Sequence, residues 1–321
     1  MDGHPRIDFC WCLISESFGF FPGRLVHWNR HPVRPSLALR MPRTSHVRLP
    51  SVAGYFYPSD PEKLRAMIGE FFEQVPSPPD MPPPFAFIVP HAGYSYSGFT
   101  AAHAYSLLCG HTAATIIILA PSHHEWFSEV SIYSGDAYRT PLGDVAIDRT
   151  MRAELLEHRD LFFTSEKGHR EEHAIEVQLP FLQCALREFQ ILPLVIGEQD
   201  AEHTIAVGKI VSEAVNAGDA IMLASSDLSH FHSREVAERM DRQTVASIER
   251  LDASEFLEGI HWKTIEACGA KAIASVMSCA RQRDRASLRV LHHSTSADSS
   301  EETQHVVGYV SAVFSDEQTI H

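Results

Sequence analysis

Residues 115–121 read TIIILAP, and this short stretch decides the fold class. It is almost wholly aliphatic, rich in β-branched residues and too short for a typical helix, which predicts a strand buried on both faces. Two further apolar runs, FAFIVP at residues 85–90 and AIMLASSD at residues 220–227, also predict strands. Helical segments separate these strands along the chain. The alternation predicts an α/β fold with a central, largely parallel sheet flanked by helices.

The helical segments place apolar residues at the spacing of one helix face. The first of them begins at Ser59 and Asp60, which are typical residues at the start of a helix. The predicted helices cover residues 59–75, 97–108, 176–189, 201–217, 233–251 and 264–282. Further strands are predicted at residues 191–197, 288–294 and 306–314. We interpret residues 45–321 as a single α/β domain.

Residues 1–44 differ from the rest of the chain because they show no sustained helical or strand period. The apolar part of this segment is interrupted by Asp8 and Glu16, which makes it a poor match to a secretory signal. We favour a start codon assigned too early, with the natural protein beginning at Met41, over a targeting segment. We therefore expect residues 1–44 to be a poorly ordered extension.

The composition restricts the class of protein. The 321 residues include 27 Lys and Arg against 41 Asp and Glu, and the net charge of −14 argues against binding to the phosphate backbone of a nucleic acid. No apolar stretch reaches the roughly 18–20 residues that a membrane-spanning helix needs. The six cysteines show no disulfide framework. Together these features predict a protein of the reducing cytoplasm with no membrane partner.

Polar side chains follow three of the predicted strands, at the point where each strand ends. These residues are His91, His123, His124, Asp227 and His230. Functional groups in open α/β sheets gather just past the carboxyl ends of the strands, so we expect these side chains to share one edge. Each one alone has a plainer interpretation, because a single histidine is more often a hydrogen-bonding group than a ligand and Asp227 suits a helix N-cap. Their convergence is what favours a functional site.

Two more segments carry candidate residues. Cys268 lies near the start of a predicted helix, where the helix dipole favours the thiolate that a metal needs. The plainer alternative is a small buried thiol. His173 and Glu176 lie in EEHAIE at residues 171–176, at the start of another helix. They are interpreted either as a proton carrier with its orienting partner or as part of a solvated first turn.

Six motifs carry a resemblance to a known family. The chain contains, in this order, PHAGYSYSG, APSHH, YRTPLGDVAID, EEHAIEVQLP, SSDLSH and EACGAKAI. Together they resemble the Memo family, whose members include the animal mediator of ErbB-driven cell motility and the bacterial AmmeMemoRadiSam system protein B. The likeness extends over most of residues 47–315, and residues 1–40 have no counterpart in it. It implies a fold similar to that of the LigB-type, class III extradiol dioxygenases.

Those dioxygenases open catechol rings with dioxygen at a non-haem Fe(II) held by two histidines and a glutamate. For this sequence the resemblance implies that His91 and His123 are metal ligands and that Cys268 replaces the carboxylate ligand. It further implies that His230 is the acid–base catalyst and that Asp227, which lies beside the site, is the second catalytic residue. The remaining residues expected to line the pocket are Tyr94, His124, His173 and Glu176.

The change of the third ligand from carboxylate to thiolate affects the expected metal. A thiolate is softer, and shifts the preference toward copper or zinc while still permitting iron. We expect Fe(II), with copper and zinc as alternatives. Three functions stay open: dioxygenase-like redox activity on an unassigned substrate, a non-catalytic adaptor that binds metal, a peptide or a small molecule, and a zinc-dependent hydrolase. The bacterial family name implies association with a radical-SAM protein.

Overall fold

The computed structural model describes residues 46–76, 81–113, 115–218 and 220–316. The predicted poorly ordered extension, residues 1–44, lies outside these ranges. The strands, in chain order, are β1 (Val47–Arg48), β2 (Ala86–Val89), β3 (Thr115–Pro121), β4 (Val130–Tyr133), β5 (Ala137–Thr140), β6 (Gly143–Ala146), β7 (Phe162–Ser165), β8 (Gln190–Ile196), β9 (Ala220–Ser225), β10 (His230–His232), β11 (Ala286–Thr295) and β12 (Val306–Asp316). The helices are α1 (Pro61–Gln74), α2 (Tyr94–Tyr105), α3 (Arg149–Leu155), α4 (His173–Glu176), α5 (Leu179–Ala185), α6 (Ala201–Asn216), α7 (Arg234–Glu249), α8 (Ala253–His261) and α9 (Ala270–Ala280).

The described residues form a nine-stranded sheet and a smaller sheet of β1, β5 and β6. The large sheet runs in the order β10-β12-β2-β9-β3-β8-β4-β7, and β11 pairs with β12. Its centre, β2-β9-β3-β8, is wholly parallel, while β12 joins β2 and β4 joins β8 in the antiparallel sense. The predicted fold class, an α/β domain with a central sheet flanked by helices, is confirmed, with the parallel pairing concentrated at the centre of a mixed sheet.

The central strands are apolar because both of their faces are covered. All residues of β2 and β9 are buried, and so are all residues of β3 except its last. Helix α9 packs against β9, β3 and β2, and α6 and α8 pack on α9 in turn. A strand enclosed in this way has no solvent face on which to place polar residues. None of the helices in the described ranges combines the length and apolar character that crossing a membrane requires.

The structure differs from the sequence prediction in two helical segments that lie near the site. The segment 176–189 was predicted as one helix, but α4 ends at Glu176 and α5 begins at Leu179. Pro180 lies in the first turn of α5, where its missing N–H costs nothing, whereas inside a continuous helix it would break a hydrogen bond. The helix predicted from residue 264 begins only at Ala270, which leaves Cys268 in the loop before α9.

Candidate metal centre

The carboxyl ends of three neighbouring parallel strands bring the predicted residues to one edge of the sheet. In the register of the sheet, Val89 of β2 lies beside Ser225 of β9. The end of β3 lies on the other side of β9. His91 and His123 each follow their strand after a single intervening residue. The positions expected from the sequence pattern therefore do meet at one edge.

The ring of His91 is held by Ser225 in a defined orientation. Nδ1 of His91 lies 2.9 Å from the Ser225 hydroxyl. That hydroxyl donates its single proton to the carbonyl of Ala174 at 2.7 Å and accepts from the amide of Gln178 at 2.8 Å. It must therefore accept from Nδ1–H of His91 as well. Nε2 of His91 consequently carries a lone pair and is available to a metal ion.

His123 is oriented by a buried carboxylate. Its Nδ1 lies 2.9 Å from Oε1 of Glu172, and its main-chain N–H donates to Oε2 of Glu172 at 2.7 Å. Burial by itself would raise the pKa of Glu172, but the hydrogen bonds from His123 lower it to about 2. Because an ionised carboxylate can only accept, the proton of the His123 ring lies on Nδ1. The lone pair is again on Nε2, in the arrangement that commonly orients metal-bound histidines.

Cys268 reaches the same edge through a close approach of two main chains. Its N–H donates to the carbonyl of Asp227 at 3.2 Å, and the N–H of Asp227 lies 3.2 Å from the Cys268 sulfur. A Cβ atom on Gly269 would lie 2.3 Å from the carbonyl oxygen of Ser225, so the approach requires glycine at that position. The sulfur of Cys268 lies 3.1 Å from Nε2 of His91.

These contacts bring three donor atoms of metal-binding type together. Atoms of His91, His123 and Cys268 all lie within 4.8 Å of one another. The rings of His91 and His123 are 5.2 Å apart and nearly perpendicular. Two imidazole nitrogens and one sulfur are a donor set that suits zinc, copper or iron rather than calcium or magnesium. The residues present therefore fit a transition-metal ion.

The electrostatics of the edge shift the pKa of each donor. Burial alone would lower the pKa of His123, but its hydrogen bond to Glu172 raises it. Burial, with a contribution from neighbouring His123, lowers the pKa of His91 to about 3, so this imidazole is neutral at physiological pH. Burial and the charge of Asp227 raise the pKa of the Cys268 thiol. Burial also raises the pKa of Asp227 itself. A metal that binds the sulfur must therefore displace its proton.

His173 belongs to a second group of possible metal ligands at the same edge of the sheet. Its ring stacks on that of His123 at 4.8 Å and meets that of His91 edge-on at 5.4 Å. Atoms of His123, Glu172 and His173 also lie within 4.8 Å of one another. Burial lowers the pKa of His173 to about 4, which keeps it neutral. The carboxylate nearest His173 is that of Glu172, at 3.5 Å from Nδ1.

The structure places two predicted pocket residues elsewhere. Glu176, proposed above as the orienting partner of His173, directs its buried carboxylate to Arg48, Ser51 and Tyr57. The Tyr94 hydroxyl, expected to face the pocket, donates to the carbonyl of Val177 at 2.6 Å, and its ring is 3% exposed. Both differences arise because these side chains already have partners in the packed interior.

His124 and His230 occupy positions at the margin of the site. His124 is exposed, and its ring lies 6.4 Å from that of His173. His230 is half-buried, and its Nδ1 donates to the carbonyl of Leu228 at 2.8 Å. A carbonyl can only accept, so the lone pair of the His230 ring lies on Nε2.

Sequence analysis missed the residues that orient these histidines. Ser225 is the last residue of β9, and Glu172 is the N-cap of α4. Pairing β2 with β9 in register would have placed Ser225 beside the end of β2. Glu172 caps α4 by accepting from the N–H of Ala174 at 2.9 Å, but Glu is not a residue type favoured at that position, so the sequence did not indicate this role. The contact of Glu172 with His123 spans 49 residues and leaves no local signal.

Comparison with known proteins gives matches along almost the whole domain. The family profile described as Memo-like protein matches residues 48–313. A MEMO1 family protein of Sulfolobus acidocaldarius is 37% identical over 84% of this chain and 100% of that relative. Relatives of the same name in Thermoplasma volcanium and Methanopyrus kandleri are each 34% identical over 83% of this chain and 98% of their own length. An uncharacterized protein of Escherichia coli K12, known from its crystal structure, aligns with a TM-score of 0.48 at 10% identity, over 71% of this chain and 98% of that chain.

Proposed function

Since the chain belongs to the Memo-like protein family, we propose that it binds one transition-metal ion through His91, His123 and Cys268 and carries out dioxygenase-like redox chemistry there. One observation carries this proposal. Both imidazoles are fixed through Nδ1, by Ser225 and by Glu172, so that each keeps an Nε2 lone pair near the Cys268 sulfur. Neither anchor is needed if the histidines only fill space.

The ion of this proposal is Fe(II), with copper and zinc as the alternatives. When bound, such an ion supplies Lewis acidity and, for iron or copper, electron transfer to dioxygen. Three protein ligands leave coordination positions for a substrate with adjacent oxygen atoms. The buried carboxylates of Glu172 and Asp227 would offset the charge of the ion.

The other residues of the edge handle protons. We assign acid–base catalysis to His230, because its Nδ1 is fixed on Leu228 and its Nε2 can take a proton from a bound hydroxyl group. Asp227 holds the main chain of His91 through a hydrogen bond of 2.8 Å and so orients a ligand. His173 contributes a neutral ring that packs between His123 and Phe56.

The location we propose is the cytoplasm. Among the described residues, the cysteines Cys109, Cys184, Cys268 and Cys279 are all free thiols. A thiolate ligand also has to stay reduced, because oxidation to a sulfinic acid would remove it from the donor set. Both features fit a reducing compartment.

The test is anaerobic loading with Fe(II), followed by metal analysis and measurement of oxygen uptake with a panel of catechols. We expect one ion per chain, and a loss of at least about tenfold in affinity for His123→Ala and for Cys268→Ser. The side chain of His123 is 30% exposed, and its main-chain N–H still donates to Glu172 in the variant, so we expect His123→Ala to fold. The matched control is His203→Ala, which removes a half-exposed histidine that pairs with Asp200 at the start of α6.

The result separates the candidate functions. Unchanged metal binding in both ligand variants would refute the proposed site. Metal binding without oxygen uptake on any catechol would favour the non-catalytic adaptor. Zinc in protein from its native host, together with the absence of oxygen uptake, would favour the hydrolase, since two histidines and a cysteine also form catalytic zinc sites.

A further inference from the structure

We propose that Glu266 is a positioning residue for His230. Its carboxylate holds the β10 segment in a strained conformation and ties that segment to the loop that carries Cys268. The inference rests on the proposed function in one respect, namely that His230 serves the metal centre. The physical link between Glu266 and β10 can be tested on its own.

One residue of the β10 segment has a left-handed backbone conformation although it is not a glycine. Phe231 has a φ of 61°, a conformation that residues with a Cβ rarely adopt. The pairing of β10 with β12 is also irregular between His230 and His232. The Phe231 side chain is 73% exposed, so packing of its ring does not hold the turn. Strain of this kind persists only where neighbouring groups fix the conformation.

Glu266 supplies contacts on both sides of Phe231. Its Oε2 accepts from the main-chain N–H of His230 at 3.2 Å. Both of its carboxylate oxygens lie 3.1 Å from Nε2 of His232. One carboxylate therefore bridges the residue before and the residue after the left-handed position. A hydrogen bond to an ionised carboxylate is about twice as strong as one between neutral groups, which suits a strained turn.

Glu266 is itself anchored next to the proposed metal ligand. The buried Thr244 hydroxyl of α7 lies 3.3 Å from its carbonyl oxygen and 3.4 Å from its main-chain nitrogen. Two residues further along, the N–H of Cys268 donates to the carbonyl of Asp227. The same short loop thus presents the sulfur on one side and holds β10 on the other. This geometry sets the position of His230 relative to Cys268.

The part of the chain before His230 is fixed by other groups. The N–H of Leu228 donates to the carbonyl of Gly308 at 2.8 Å, and the N–H of Ser229 donates to the buried carboxylate of Asp241 at 3.1 Å. Removing Glu266 should therefore loosen β10, which keeps its pairing with β12, while leaving residues 228 and 229 in place. The contact of His230 Nδ1 with the carbonyl of Leu228 fixes the tautomer of the His230 ring. Glu266 fixes the position of the His230 main chain.

The first test measures amide hydrogen exchange in the whole chain. We expect Glu266→Ala to accelerate exchange at His230 by at least about tenfold, with little change at Ser229. Glu266→Gln retains one acceptor oxygen and should give an intermediate rate. The matched control is Glu258→Gln, an exposed glutamate of α8. Unchanged exchange at His230 in Glu266→Ala would overturn the proposal.

The second test uses 4-nitrocatechol as a probe of the metal-loaded chain, because its visible absorption changes when its hydroxyl groups ionise. His230 Nε2 would accept a proton from the bound probe, and the probe would bind as the deprotonated species. We expect Glu266→Ala to keep its metal and to bind the probe at least about tenfold more weakly. The double variant Glu266→Ala with His230→Gln should bind the probe no more weakly than His230→Gln alone. This is expected if Glu266 acts only through His230.

The two tests separate the failure of the inference from that of the proposed function. If the wild-type chain binds no metal or no probe, the proposed function fails, and the exchange rates still decide whether Glu266 fixes β10. If exchange accelerates while the affinity and ionisation of the probe stay unchanged, Glu266 does not act through His230. If the losses of Glu266→Ala and His230→Gln add fully, the positioning role is likewise refuted.

Discussion

Glu172 and Glu176 lie one helical turn apart at α4, and both are buried carboxylates, yet they serve different parts of the molecule. Glu172 contacts the ring of His123, whose side chain is 30% exposed at the edge of the sheet. Glu176 pairs with the guanidinium of Arg48, whose side chain is 4% exposed. One carboxylate therefore faces the candidate site, and the other faces the interior.

The difference shows how the partner determines what a buried carboxylate does. The guanidinium of Arg48 binds Glu176 in the packed interior, so this pair is a fixed structural contact between β1 and α4. Glu176 also accepts from the main-chain N–H groups of Ser51 and Val52, so it fastens the first described segment to the domain. His123 keeps a free Nε2, so its pair with Glu172 can orient a ligand. We expect substitutions of Glu176 to change stability and substitutions of Glu172 to change metal affinity.

The largest effect is expected for Glu176→Ala. This change leaves the buried Arg48 without its counter-charge, which typically costs about 3–5 kcal/mol in the free energy of unfolding. Urea unfolding of the wild type and of Glu176→Ala measures the difference in the free energy of unfolding. The metal content per folded chain should be the same in both proteins. A variant that replaces both partners, Arg48→Met with Glu176→Leu, should recover only part of the loss, because the donors of Tyr57 and Val52 lose their acceptor. A loss below about 1 kcal/mol for Glu176→Ala, within the range of a surface pair, would contradict the assignment.

A smaller loss of stability is expected for Tyr57→Phe. The Tyr57 hydroxyl donates to Oε1 of Glu176 at 2.6 Å, and a hydrogen bond to a charged group contributes about 1.5–3 kcal/mol. The loss of stability should lie near the lower limit of this range, because Arg48 and Ser51 still donate hydrogen bonds to the Glu176 carboxylate. Tyr55→Phe is the matched control, since Tyr55 is 88% exposed and its hydroxyl can bond to water. Equal unfolding free energies for the two variants would refute the role of Tyr57.

The sequence was sufficient to predict the strands that place the site. Runs such as TIIILAP carry their own signal, and the residues just past them meet because parallel strands end at a common edge. This is why the gathering of His91 and His123 could be expected. The short strands β4, β5, β6 and β7 were harder to predict. Each has four residues, and none contains an apolar run long enough to show a pattern.

The roles of Glu172 and Glu176 could not be separated in advance. Both lie in EEHAIE, and both suit the first turn of a helix. Which one faces the site depends on Arg48, which approaches from 128 residues away and occupies Glu176. A contact between residues so far apart in the sequence leaves no periodic pattern near either residue. The sequence pattern located the segment, and tertiary packing assigned the side chains.

The third prediction concerns metal affinity. Glu172→Gln keeps the size of the side chain but removes the charge that holds Nδ1–H of His123. Loss of such an orienting carboxylate typically weakens metal binding by about 10–100-fold. Competition with a chromophoric chelator measures the affinity, and Glu171→Gln, at the exposed neighbouring position, is the matched control. If Glu172→Gln binds metal as tightly as the control, the distinction between the two carboxylates fails at this residue.

The smallest effect is a change in how stability depends on pH. Burial alone would raise the pKa of Glu176, but the charge of Arg48 and hydrogen bonds from Ser51 and Tyr57 lower it below its usual 4.5. The unfolded chain therefore takes up a proton at this group before the folded chain does, so the stabilisation is complete above about pH 4.5 and is lost as the pH falls further. We expect the difference in unfolding free energy between the wild type and Glu176→Gln to be constant from about pH 7 to 5 and to shrink below that. Urea unfolding across this range isolates Glu176, because every other carboxylate is common to both proteins. A difference that stays constant down to about pH 3 would mean that Glu176 is not held ionised by Arg48.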